Sequence, residues 1–103
     1  MIKVSVLYPA GAGKKFDMSY YLTSHMPMVG RKLGAAMKGM SVDEGIGTAP
    51  PGTPAPFVAV AQLMFDSLEA YGAAFAQHGA DIMADVPNYT DIQPVVQISQ
   101  IRM

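Results

Sequence analysis

The sequence predicts an α+β fold in which two helices cover one face of a four-stranded antiparallel sheet. Three observations predict it. Four runs rich in strand-forming residues, near 2–8, 37–46, 57–65 and 95–101, are separated by two stretches of helical apolar spacing, near 17–33 and 66–86. Their order is β-α-β-β-α-β, the split arrangement of a ferredoxin-like domain. At 103 residues the chain has apolar surface for one core and hence one domain, spanning 1–103.

Each element follows from its local chemistry. Ile2, Val4, Val6 and Tyr8 alternate with Lys3, Ser5 and Leu7, the period of a half-buried strand, and Pro9 to Gly13 ends it. Asp17 is placed to cap the first helix, with Phe16 and Tyr21 as a hydrophobic staple, and Gly34 to stop it after Leu33. Met18, Leu22 and Val29 mark the centre of its buried stripe, with Tyr21 and His25 one turn apart on the flank. Met40, Val42 and Ile46 alternate through the second strand. Pro50, Pro51, Pro54 and Pro56 then forbid ladder pairing and predict a semi-rigid loop. Phe57 to Phe65 is apolar except at Gln62, as in a strand buried on both faces. Asp66 and Glu69 form a capping-box-like start for a second helix with the stripe Leu68, Tyr71, Phe75, Ile82 and Val86, ended by Pro87-Asn88. The β-branched run from Val95 to Ile101 is the last strand.

Two helices cover one face of such a sheet, whereas the third strand is apolar on both. The uncovered face predicts a homodimer in which two sheets face each other around an apolar cavity.

Half the residues are hydrophobic, 15% are charged, and the formal net charge is −1, which argues against nucleic acid or an anionic membrane surface as partner. A run of about 18 apolar residues is missing, and the start lacks the basic-then-apolar layout of a secretion signal, so a cytoplasmic location is the default expectation. With no cysteine, disulfide, thiolate and iron–sulfur chemistry are closed. Neither His-x-x-x-His nor Glu-x-x-His occurs, so no metal is expected. Residues 11–16, GAGKKF, open a helix after a strand, but Tyr8 stands where a phosphate-binding loop needs glycine and Lys15 where it needs Ser or Thr.

The residues that carry chemistry lie mostly on the first helix. His25 reads either as a core-edge histidine bonded to backbone or as a proton-transfer group. Pro27 favours the second reading, because it removes an amide donor, frees a carbonyl near Thr23 and kinks the helix just after the imidazole. The nine methionines, Met28 among them, are core filler or the lining of an adaptable pocket. His78, on the margin of the second helix, and Asn88 and Tyr89, after Pro87, are either edge and turn residues or the rim of a cavity.

Taken together, FDMSYYLTSHMP, PPGTPAPF, FDSLEAYGAAF and ADVPNYTDIQPVVQIS resemble the EthD family, named for its association with ethyl tert-butyl ether degradation. The pattern Tyr20, Tyr21, His25, Pro27 carries the resemblance, supported by Pro87-Asn88-Tyr89. It implies a dimeric α+β barrel and places the chain among small cofactor-independent proteins, some of them polyketide cyclases, dehydratases or decarboxylases. The expectation is an enzyme acting on a small apolar or aromatic carbonyl compound. In it His25 moves the proton and Tyr21 donates a hydrogen bond to the developing oxyanion. Tyr8, Met28, Gln62, His78, Asn88 and Tyr89 are the expected ligand contacts. The competing expectation, from the same cavity, is a carrier of a hydrophobic metabolite with no proton transfer.

Overall fold

A computed structural model describes residues 1–103. The sheet contains β1 (Ile2–Pro9), β2 (Met37–Glu44), β3 (Phe57–Phe65) and β4 (Val95–Gln100) in the spatial order β2-β3-β1-β4. Every neighbouring pair is antiparallel. With both helices packed on one face, the fold is ferredoxin-like. Hydrophobic alternation fixes the register: Val4 lies between Leu63 on β3 and Ile98 on β4, so all three point to the helices. One residue on, Ser5 lies between Gln62 and Gln97, which point away. On β3 the helix-side residues Ala59, Ala61, Leu63 and Phe65 are buried, while Val60, Gln62 and Met64 on the other face are half-buried. That face therefore lacks a cover of its own within the chain.

β2 carries a bulge between Met37 and Gly39. A Cβ on Gly39 would stand 2.5 Å from the Met64 methyl, so the flexible end of Met64 fills the space that glycine leaves. The strand ends at Glu44 rather than near 46, and Thr48 and Thr53 bridge across the proline-rich loop.

The first helix is one continuous rod in three parts: an α-helical start (Met18–Tyr20), a π-helical turn (Tyr21–His25) and an α-helical remainder (Met26–Leu33). Asp17 caps it through its carboxylate, which accepts from the Tyr20 amide at 3.0 Å. The staple forms as expected, with the Phe16 and Tyr21 rings 5.0 Å apart, edge to face. Gly34 ends the rod with a φ of +55°.

The π turn changes which residues are buried. Its extra residue, marked by the Met26 amide donating to the Tyr21 carbonyl, turns the following helix by about one residue's rotation. Tyr21 and His25 are thereby brought inside, at 1% and 4% exposure, and Leu22 is left 49% exposed. Of the expected stripe, Val29 is buried and Met18 half-buried against the core, and Leu22 alone is corrected to the exposed side. Pro27 gives the cause: lacking an amide hydrogen, it breaks the regular hydrogen-bond ladder at the residue directly after Met26, which closes the turn.

The second helix runs Leu68–Ala84 and continues into a 3-10 turn at Val86–Asn88. Its cap is Ser67, whose hydroxyl accepts from the Ala70 amide at 3.1 Å, not Asp66. Leu68, the first residue of the expected stripe, is exposed, while Ile82 is buried and Tyr71 and Phe75 half-buried against the core. β4 is an edge strand, and Val96 and Ile98 on its helix side and Val95 on the other face are all exposed.

Candidate active site

Two distant stretches are laced together before any site residue is placed. The Asp17 amide donates to the Tyr89 carbonyl at 2.7 Å, and the Lys15 amide donates to the Asp91 carboxylate at 2.9 Å. Thr90 ties the same junction, donating its hydroxyl to the Lys15 carbonyl at 2.6 Å and accepting from the Ile92 amide at 3.0 Å. The start of the first helix and the segment after the second are thus held side by side.

That lacing brings four aromatic rings and an imidazole into one cluster. His25 lies flat on Tyr21, ring centres 5.5 Å apart, and 4.6 Å from Tyr89. Tyr8, from β1, meets Phe16 and Tyr21 edge to face at 4.9 and 5.7 Å. His25, Tyr8, Tyr21 and Tyr89 are all buried.

Polar atoms in the cluster form a chain. Asp85, at the C-terminal end of the second helix, accepts from His25 Nδ1 at 2.9 Å on one oxygen, and from Tyr20 at 2.7 Å and Asn88 at 3.0 Å on the other. Burial raises the Asp85 carboxyl, but the bonds from Asn88, Tyr20 and His25 outweigh it and hold the group below the usual carboxylate range. An ionised carboxylate only accepts, so Nδ1 carries the hydrogen and Nε2 keeps its lone pair in the neutral ring. Nε2 faces the Tyr89 hydroxyl at 3.5 Å, and that hydroxyl bonds Tyr8 at 2.8 Å. Desolvation first, and the neighbouring phenols after it, raise Tyr21 and Tyr89 well above the usual phenol value, so both are neutral donors. For Tyr20 the largest cause of an upward shift is its bond to Asp85.

The cluster forms the polar end of a cavity of about 90 Å³ between the sheet and the two helices. Of its 17 lining residues 15 are hydrophobic, which leaves His25 and the tyrosine hydroxyls as its polar groups. Met83 and Val96 are its exposed lining residues, so the mouth lies between the second helix and β4. The expected cavity lay between the sheets of two subunits; the one found lies on the opposite side of the sheet, inside a single chain.

Of the residues expected to form the site, His25, Tyr21, Tyr8 and Tyr89 meet at this cavity. Gln62 does not, because the register turns it to the far face of the sheet. Met28 packs half-buried against the core without lining the cavity, and His78 lines a separate hollow with Leu33 and Ala74. Asn88 reaches the site only through Asp85. Asp85 itself is missing from the sequence expectation, although a buried histidine with one nitrogen to orient calls for a carboxylate partner. The site holds two metal-type donors, His25 and Asp85, with no third beside them.

The sequence matches the EthD domain over residues 10–93. No protein of curated function matches it. Among solved structures, an EthD-like protein from Ralstonia eutropha is 45% identical, with a TM-score of 0.95 over 99% of this chain and 92% of that one. An EthD-family protein from Bacillus halodurans is 20% identical, with a TM-score of 0.78 over 99% of both chains. An Arabidopsis thaliana protein is 13% identical, with a TM-score of 0.72 over 100% of this chain and 97% of that one; the last two likenesses are of fold. The domain match over most of the length, together with the close likeness to the Ralstonia protein, places this chain in the EthD family.

Proposed function

We propose that the protein is an enzyme that moves a proton on a small apolar or aromatic carbonyl compound without a bound cofactor. Cyclisation, dehydration, isomerisation and decarboxylation all fit this chemistry. The chain Asp85–His25–Tyr89–Tyr8 at the polar end of an apolar cavity carries the reading. Asp85 holds the tautomer that leaves Nε2 basic, and its charge stabilises the imidazolium that forms when Nε2 takes a proton from the carbon beside the carbonyl. The enolate oxygen left behind meets the Tyr8 hydroxyl and the neutral Tyr21 phenol. His25 then returns the proton to the product carbon, or to a departing hydroxyl in a dehydration. The 3.5 Å separation of Nε2 from Tyr89 suits a catalytic contact that tightens when substrate arrives.

The test is deuterium exchange into the methyl group of acetophenone in D2O, followed by NMR. Wild type should accelerate it, and His25→Gln should lower that acceleration by roughly a hundred- to ten-thousand-fold while the ligand still binds. Equal exchange in wild type and variant overturns the reading. The almost wholly apolar lining favours one alternative: a carrier of a hydrophobic metabolite, serving an oxidative route such as ethyl tert-butyl ether degradation. A carrier binds acetophenone without exchanging it. The active particle is, in this reading, a homodimer joined through the sheet face that the helices leave bare.

A further inference from the structure

The proposed chemistry leaves open which carbonyl compounds enter, and the lining answers in terms of charge, size and direction. Among the 17 lining residues there is no lysine or arginine. The charged group at the polar end is the Asp85 carboxylate, bonded to His25. An anionic ligand pushed in oxygen-first would lose its water, find no cation and approach a like charge, each of which opposes binding. A neutral carbonyl or hydroxyl meets groups that suit it: protonated phenols that donate and an imidazole nitrogen that accepts.

Size sets the second limit. About 90 Å³ is less than the roughly 150 Å³ of an apolar cavity that takes up benzene, so the enclosed space takes only part of one ring, and the rest of a single-ring ligand lies in the mouth beside Met83 and Val96. Direction is the third. Tyr8, Tyr21 and His25 gather their polar groups at one end, whereas Phe75, Met83 and Val96 are purely apolar and run out to the mouth. Tyr71 adds its ring to that wall, 4.8 Å from Phe75.

We propose that the cavity selects uncharged single-ring molecules bearing one carbonyl or hydroxyl oxygen, seated oxygen-inward against Tyr8, Tyr21 and His25, and rejects the corresponding carboxylates and fused polycyclic ketones. The selection rests on the proposed function for the identity of the site but is read by binding alone. Calorimetric titration of the intact protein at neutral pH with acetophenone, benzoate and 9-acetylanthracene tests it. Acetophenone should bind at least about tenfold more tightly than either other probe. Two variants at the exposed mouth sharpen the result without disturbing the core. Met83→Arg, which puts a cation at the mouth, should let benzoate bind with its carboxylate turned outward and raise its affinity by about fivefold. Val96→Phe, which narrows the entrance, should weaken acetophenone. Benzoate or 9-acetylanthracene binding as tightly as acetophenone in wild type overturns the selection, as does acetophenone failing to bind. Acetophenone binding without deuterium exchange leaves the selection standing and ends the enzyme reading; exchange alongside tight benzoate binding does the reverse.

Discussion

Asp85 is the residue on which the orientation of His25 depends, and its own ionisation makes that dependence measurable. Three donors, from His25, Tyr20 and Asn88, converge on its two oxygens and lower its folded-state value against the pull of burial. A carboxyl lowered on folding stabilises the protein fully above its unfolded value, near pH 4, and loses that contribution as pH falls through the lower folded value. Asp85→Asn should therefore be less stable than wild type at pH 7, with the difference shrinking towards pH 2, as urea denaturation at a series of pH values would record. The same variant should slow acetophenone exchange, because the amide oxygen is claimed by the Tyr20 and Asn88 donors, the NH2 then faces Nδ1, and the imidazole is left in the tautomer with its hydrogen on Nε2 and without a counter-charge. A difference in stability that stays constant between pH 7 and pH 2 would contradict the three hydrogen bonds assigned to the ionised carboxylate. His25 was legible in the sequence because Pro27 breaks its helix two residues on. Asp85 was not, because 60 residues separate it from the imidazole and only the fold brings them within 2.9 Å.

At the scale of elements, all four strands and both helices were readable from period and punctuation, and the departures lie where two local signals competed. Asp66 and Ser67 are both good caps, and spacing to Glu69 favours the first. The structure uses Ser67, because β3 runs to Phe65 and Ser67 is the residue with extended backbone angles immediately before the helix. Ser67→Ala should accordingly cost about 1 kcal/mol in chemical denaturation. Asp66→Ala, which loses only an exposed 3.8 Å pair with Lys38, should change stability by less than about 0.5 kcal/mol. The reverse ranking would restore Asp66 as the cap. The first helix departs for a different reason. A wheel at 3.6 residues per turn assumes an unbroken ladder, and the π turn at Tyr21–His25 adds a residue that no wheel anticipates. The same insertion turns His25 and Tyr21 into the cavity, so the point where regular periodicity fails is the point where the chemistry sits.

The whole molecule leaves one face of its sheet without a helix, and the composition of that face bears on assembly. Val60, Leu7 and Val95 are cross-strand neighbours on it, an apolar row spanning three strands. The next row, Gln62, Ser5 and Gln97, is polar but uncharged. Lys3 and Asp43 are its charged side chains, one at each end of the pattern. A solvated sheet face is usually rich in Lys, Glu and Thr, whereas a face of Val, Leu, Gln and Ser suits contact with another such face, where amides pair across the interface and aliphatic groups exclude water. Two copies related by a twofold axis place this surface against itself. Each cavity then stays on the outer, helix-covered side of its own sheet, which makes assembly and ligand binding separable. Val60→Lys puts a charge at one end of the apolar row, between Leu7 and Asp43, where the side chain remains solvated in a single subunit. Sedimentation equilibrium should give wild type twice the 10.9 kDa chain mass. For Val60→Lys it should give the mass of one chain, with acetophenone affinity within about threefold of wild type. A wild-type particle of one chain mass at micromolar concentration removes the dimer and leaves the site intact.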